Sequence, residues 1–283
     1  MERFERAWLI ANAASGSNTP AAVAALEDTL NARGIAIERS ISFPDQPLPD
    51  RAALEAAGVP MLAIYTGDGT TNAALGRLAG WSGAVLVLPG GTMNLLSKRL
   101  HGDFPAEEIV AVVATGGACR RRVLKIAGRC GDAYAGLLAG PGTHWGAVRE
   151  AMREFDIAAI ASGAADALAR STGEAAVRVL DPPLGRREGY PLIDMTPGEH
   201  GIQVNGYQAA SAAEFAQQGW ALLRRRFREG PHDRLGMVED ITLENVDGSP
   251  VEVLIDGERC EGAAPMAFRV AQSEVDLLAT HHG

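Results

Sequence analysis

The stretch PMLAIYTGDGTTNAAL, residues 60–75, joins an apolar run to a run of helix formers through two glycines that flank one aspartate. Met61–Tyr65 shows no apolar–polar alternation, so it predicts a strand buried on both faces rather than one lying on a wet sheet. The pattern repeats on either side. AWLIAN (7–12) reads as a strand, PAAVAALEDTLNARG (20–34) as a helix closed by Gly34, and IAIERSIS (35–42) as a second strand. A short helix near 51–57 precedes the quoted strand, a helix over 70–78 follows it, AVLVLP (84–89) makes a fourth strand, and helices run on to about Ala114. Continuous apolar strands separated by helices predict a parallel sheet covered on both faces.

After ATGGA (114–118) the pattern changes. CRRRVLKIAG, AYAGLLAG, AAVRVL, HGIQVNGYQ, DITLENV, PVEVLI, MAFRVA and EVDLLAT are short strand candidates, interrupted by helices near 144–170 and 212–229. The expected class is therefore α/β: an N-terminal Rossmann-like parallel sheet with flanking helices over residues 1–118, then a β-rich, sandwich-like domain over 119–283.

Composition narrows the function. A net charge of −9 over 283 residues argues against nucleic acid as a partner held by bulk electrostatics, so any anionic ligand must be met locally. Cys119, Cys130 and Cys260 are odd in number and show no CxxC spacing, which suggests neither a disulfide framework nor a zinc site and fits a reducing cytoplasm. The apolar part of the N-terminal stretch is too short for a signal segment, and DIAAIASGAADALA, the longest apolar run, is broken by Asp166. Any meeting with a membrane is expected to be peripheral; a homodimer is compatible with the sequence.

Three loops follow strands of the expected parallel sheet: NAASGSN, TGDGTTN and PGGTMN. Strand-to-helix loops of such a sheet emerge at one carboxyl edge, where these folds bind ligands. Gly67, Gly69, Gly90 and Gly91 leave room for backbone N–H groups to approach a bulky anion, and the helix starts after Thr70 and Thr92 add partial positive charge. Phosphate is the natural guest. Asp68 would repel bare phosphate, but it fits a site where Mg²⁺ bridges carboxylate and phosphate oxygens. An Asp-Gly pair is also an ordinary turn; three loops on one edge favour a site. There is no G-x-x-x-x-G-K-[ST] and no G-x-G-x-x-G after the first strand.

TGDGTTNAAL and LPGGTMNLLSKRL resemble, in order and spacing, the GGDGT-x-N-E and LP-x-GT-x-N-x-x-A-R segments of the diacylglycerol kinase and sphingosine kinase catalytic superfamily. NAASGS is similar to its N-P-x-S-G loop and IDGERC to its L-D-G-E motif. The resemblance implies an ATP-dependent lipid kinase, with a nucleotide domain, a β-sandwich lipid domain and an active site between them. It implies that Thr66, Gly67, Asp68, Gly69, Thr70 and Asn72, with Gly90, Gly91, Thr92 and Asn94, hold ATP and its Mg²⁺, flanked by Asn12 and Ser15. Asp256 would take the proton from the lipid hydroxyl, supported by Glu258. Thr66, Ala13 and Ala73 depart from the family's glycine, proline and glutamate, and TPGEHGIQV (196–204) is a poor match to an Asp-rich metal stretch of bacterial members.

Two plainer readings stand beside this one. Asp-Gly is a favoured hairpin pair, and Asp247–Gly248 looks like just such a turn, so residues alone leave Asp256 open between turn and base. The stripe Ala216, Trp220, Leu223 and Phe227, flanked by Arg224 and Arg226, suits either anionic headgroups or docking onto a sheet; His144 and Trp145 suit either a lipid cleft or a packed helix start. The alternatives to a lipid kinase are an NAD kinase-like or other small-molecule kinase, and a catalytically weak nucleotide- or lipid-binding protein.

Overall fold

The computed structural model describes residues 2–12, 18–92, 94–140, 176–207, 232–256, 258–260 and 262–280. The helices expected near 144–170 and 212–229, together with Ser15, lie outside the described residues. The chain divides into two compact units: Met1–Val123 with Gln272–Gly283, and Leu124–Ala271.

The first unit is built on a six-stranded sheet. β1 (Arg6–Asn12) pairs in parallel with β2 (Ala36–Phe43) on one side and β3 (Met61–Thr66) on the other, and β4 (Ala84–Pro89) follows β3. The helices α1 (Pro20–Ala32), α2 (Arg51–Ala57), α3 (Asp68–Leu75), α4 (Leu95–His101) and α5 (Ala106–Ala114) connect or flank these strands. Their starts follow local chemistry: Thr19 Oγ1 accepts the Ala22 N–H with Pro20 at the first helical position, and Asp50 Oδ1 accepts the Ala53 N–H. Leu26 and Leu30 of α1 and Ile109, Val110 and Val113 of α5 bury one face of the sheet with Ala7, Leu9, Ala63 and Leu86. The chain moves from β1 outward to β2 and then back past β1 to β3, so the order reverses between β1 and β3. That reversal opens a crevice at the carboxyl ends of these two strands.

Two expectations are corrected here. The sheet does not end at β4: β17 (Asp276–Ala279) lies parallel to β4, and β5 (Cys119–Arg121) pairs antiparallel with β17 at the edge. EVDLLAT, assigned from the sequence to the second domain, thus completes the first, and the division falls after Val123 rather than at residue 118. A four-residue apolar strand carries no local mark of which sheet it joins. Leu277, Leu278 and Ala279 are all at 1% exposure or less, as a strand inside a sheet covered on both faces must be.

His101 closes α4 against this returning strand. Its Nδ1 lies 3.0 Å from Thr280 Oγ1, and the Thr280 N–H donates to the Leu100 carbonyl. Burial holds the imidazole neutral, lowering its pKa from 6.5 to about 4. Because the folded value is depressed, the stability that neutral His101 contributes is complete above about pH 6.5 and is lost as pH falls toward 4. Over that window the loss is on the order of 3 kcal/mol. Denaturant melts across that window should show the slope in the native chain and a shallower one in His101→Gln; equal slopes would remove His101 as the cause.

The second unit is a β-sandwich. One sheet orders β12 (His232–Val238), β11 (Ile202–Tyr207), β10 (Leu192–Pro197), β8 (Leu137–Gly140), β14 (Glu252–Ile255) and β15 (Glu258–Cys260). The other orders β7 (Gly131–Ala133), β6 (Leu124–Gly128), β16 (Met266–Gln272), β13 (Asp240–Asn245) and β9 (Val177–Asp181). Ile126, Ala133, Val179, Leu243 and Phe268 from the second meet Leu137, Ile193, Met195, Val204 and Val253 from the first in one apolar core. Alternate residues point to the opposite faces, as the two-residue strand period requires.

A third correction concerns the cysteines. Cys130, in the β6–β7 turn, and Cys260, at the end of β15, form a disulfide with Cα atoms 6.2 Å apart. The sequence suggested no disulfide because the partners are separated by 130 residues and only the sandwich brings them together.

Candidate active site

The first-unit site is a junction between the loops after β3 and β4. Gly67 caps α3 in an extended conformation, and Asp68 is the first helical residue, so Asp68, Gly69 and Thr70 form the first turn of a helix expected to begin at Thr70. A carboxylate is favoured there by the exposed N–H groups of a helix start. The Asp68 side chain reaches across to the other loop: Oδ2 accepts the Leu95 N–H at 3.1 Å and Oδ1 the Leu96 N–H at 3.2 Å, at the start of α4. Burial raises its pKa, opposed by those two N–H groups and by the charge of Lys98.

Asn94 shapes the second loop. It adopts a left-handed conformation at φ +52°, with Oδ1 accepting the Gly91 N–H at 2.7 Å and Nδ2 donating to the Gly91 carbonyl at 2.8 Å. Asparagine tolerates this backbone region better than other side-chain-bearing residues. The glycines are explained by the neighbouring loop: a Cβ on Gly91 would collide with Gly67 Cα, and one on Gly90 would lie 2.5 Å from the Tyr65 carbonyl carbon and 2.6 Å from the Thr66 nitrogen. Gly90 and Gly91 therefore allow two backbones to touch. In Gly90→Ala the loops must part, with an expected stability loss of roughly 1–3 kcal/mol. Thermal and denaturant melting check it; unchanged stability would show that the contact is dispensable.

Asn12 ends β1 at the crevice, and its Nδ2 donates to Thr70 Oγ1 at 3.0 Å, tying the first strand to α3. Thr66, at the family's glycine position, turns inward at 2% exposure; its hydroxyl lies 3.0 Å from Thr71 Oγ1 and 3.2 Å from the Gly67 carbonyl. Its bulk is absorbed beneath α3. Ala73 is exposed, Asn72 lies within α3, and Thr92 is exposed beside Gly91. The structure thus brings together Asn12, Thr66–Thr70 and Gly90–Asn94 apart from Met93, which lies outside the described residues.

Three residues missed in the sequence belong to this junction. Asn18 is 2% exposed and its Nδ2 donates to the Tyr65 carbonyl at 2.6 Å, fastening the loop after β1 to the end of β3. Thr71 Oγ1 donates to the Gly67 carbonyl at 3.0 Å. Lys98 brings a positive charge beside Asp68. Its spacing of four from Asn94 was the available signal, since it places the lysine one turn above the loop.

In the second unit, Asp256 ends the β14 side of a hairpin with β15 and takes a left-handed conformation, φ +46°. Its Oδ2 accepts the Tyr134 N–H, and its Oδ1 accepts those of Ala135 and Gly136, each at 2.9 Å. The Asp256 N–H in turn donates to the Gly136 carbonyl at 3.0 Å. Glu258 is exposed on β15. Asp247 differs: its Oδ1 accepts the N–H and hydroxyl of Ser249, two residues on, within an exposed turn. Of the two Asp-Gly aspartates, one closes a local turn and the other clasps a segment 120 to 122 residues away.

Residues 6–126, which carry β1 through α5 and both glycine loops, match the diacylglycerol kinase catalytic domain. This stretch belongs to that family. No curated protein matches the sequence. The fold is shared with solved structures of Bacillus anthracis str. Sterne proteins named as diacylglycerol kinases, two of them provisionally. They superpose with TM-scores of 0.68, 0.65 and 0.62 at 14%, 15% and 13% identity, covering 99%, 98% and 99% of this chain and 96%, 98% and 98% of theirs. At that identity the likeness shows the fold, and it extends through both units. Among the described residues no group of three or more His, Cys, Asp or Glu side chains could hold a metal by itself, and no helix is long and apolar enough to cross a membrane.

Proposed function

We propose that the protein is an ATP-dependent kinase that phosphorylates the hydroxyl of a diacylglycerol- or sphingoid-type lipid drawn from a membrane surface on its aqueous, cytoplasmic side. The observation that carries this reading is the Asp68 junction inside the diacylglycerol kinase catalytic stretch. It combines a half-buried carboxylate, two closely packed glycine loops and a lysine at a sheet edge suited to phosphate.

The donors fit nucleotide-borne Mg²⁺. Asp68 accepts the N–H groups of Leu95 and Leu96, with that of Asn94 beside them, and a carboxylate has acceptor capacity beyond three donors; one carboxylate together with phosphate oxygens suits an ion that binds few protein ligands. When bound, Mg²⁺ would neutralise charge on the phosphates. Asn12 and Thr70, joined at the crevice, would orient the nucleotide, and Lys98 would add fixed positive charge. Asp256 would accept the proton of the lipid hydroxyl as its oxygen attacks the γ-phosphorus and the bond to ADP breaks. Glu258, at the same hairpin, would support the negative field there.

The inward packing of Thr66 and the exposure of Ala73 favour an intact kinase over a decayed binding protein, since neither departure falls on a side chain that joins the two loops. Labelled ATP offered with a panel of lipid alcohols in mixed micelles, and with NAD as the soluble competitor, tests the proposal. Phosphate on a lipid alcohol supports it; transfer to NAD alone, or ATP binding with no transfer, overturns it.

A further inference from the structure

Lys125 is a buried charge for which the reaction above has no use. Its residue is 5% exposed, its Nζ lies 2.6 Å from Asp132 Oδ2, and the same ammonium stands 5.8 Å from the centre of the Tyr134 ring. Register explains the grouping. Ile126 pairs with Ala133 and Ala127 with Asp132, and Ile126 and Ala133 face the sandwich core. The two-residue period then sets Lys125, Asp132 and Tyr134 together on the opposite face. Lys125 is buried while Asp132 keeps 31% of its side-chain surface exposed, so the cost of taking the ammonium out of water offsets much of the pair's attraction. Such a pair calls for another account.

The account lies one residue along the chain. Tyr134, Ala135 and Gly136 offer consecutive N–H groups to the Asp256 carboxylate, and Asp256 is held in a left-handed conformation that few non-glycine residues adopt. Asp132 and Tyr134, the two groups Lys125 engages, bracket the entry to that row of donors. We propose that Lys125 is a positioning residue for Asp256: with Asp132 it fixes the strand end that carries the three N–H donors, and its ammonium helps keep the carboxylate ionised and aimed. This rests on the reading of Asp256 as the base.

Other charges on neighbouring elements are Glu258 on β15, the Glu252–Arg259 pair across β14 and β15, and the exposed Arg269 on β16. In the sheet that carries β14 and β15, β10 presents Ile193 and Met195 to the core, with Asp194 on the opposite face. Among the described residues Lys125 places its ammonium near the ring of Tyr134, whose N–H reaches Asp256 Oδ2.

Two readouts test this on the full chain. The first is the side-chain carboxyl ¹³C resonance of Asp256, assigned by its loss in Asp256→Asn and titrated without turnover. Lys125→Met should move its midpoint upward by roughly 0.5 pH unit or more, Asp132→Asn should move it downward, and Lys125→Arg should leave it near the native value. A merely structural role gives no such opposed pair of signs. The second is turnover with labelled ATP and dioleoylglycerol in mixed micelles. Lys125→Met should lower kcat by about 10- to 100-fold while KM for ATP stays within twofold, and Lys125→Arg should restore most of it. If Lys125→Met does not fold, Asp132→Asn, at a half-buried position, decides by the direction of its shift. Midpoints that stay in place in both variants overturn the inference. An active Asp256→Asn overturns the base reading instead, and it is seen without any change at Lys125.

Discussion

Asp256→Asn should lose turnover by ~10²- to 10⁴-fold per folded molecule, while ATP affinity stays close to native because the loops proposed to hold the nucleotide belong to the other unit. The substitution is not silent in the fold. Oδ1 of asparagine can still accept from Ala135 and Gly136, but an amide NH₂ would then face the Tyr134 N–H, leaving a buried donor without its acceptor. That costs about 1–3 kcal/mol, so activity must be normalised to the folded fraction. Asp247→Asn is the internal control. It also precedes a glycine, but its carboxylate serves only Ser249 in an exposed turn, and turnover per folded molecule should be native. Equal loss in both variants, or native turnover in Asp256→Asn, would assign Asp256 to the clasp alone.

Asp68→Asn should lower kcat by about 10²- to 10³-fold with little net change in stability at neutral pH. Two opposed effects meet there. The amide keeps one acceptor for Leu95 or Leu96 and forfeits the other. It also removes a carboxylate that burial makes reluctant to ionise. A raised folded pKa means that the protonated form contributes stability below the ordinary carboxylate value and that this contribution is lost as pH rises through the folded one. The variant should therefore lack that acid-side slope in denaturant melts. Turnover is to be measured at limiting Mg²⁺, and unchanged rates there would separate Asp68 from any metal role.

The parallel strands and their glycine loops were legible because their signals are local: an apolar run without alternation, then glycine and a helix start. β10 and β12 were not read as strands. LIDMTP follows Pro191 and itself ends in Pro197, and HDRLGMV is a sheet-edge strand with a glycine and no buried face to impose alternation. In the candidate site the residues expected from the sequence meet at one junction, and the structure adds to the reading of Gly90 and Gly91 a reason that the sequence did not offer. Their smallness serves a backbone–backbone contact that no single segment reveals. Asn18 and Thr71 escaped notice because their partners are main-chain carbonyls, which leave no trace in the identity of the partner residue.

The place of β17 between β4 and β5 has a consequence for how the chain is made. During synthesis β1 to β4 emerge first, yet β4 has no neighbour on its outer side until Asp276–Ala279 has left the ribosome, after the whole sandwich unit. At ordinary translation rates that interval is roughly 10–30 s. For that time the nascent α/β sheet carries an open apolar edge, the kind of surface that recruits chaperones or pairs with a neighbouring nascent chain. By the time β17 emerges, every described strand of the sandwich has been made. The late-made strand Asp276–Ala279 would then lock the first-made sheet, so a chain truncated after Gln272 should carry every described strand of the second unit attached to an α/β unit that lacks β17.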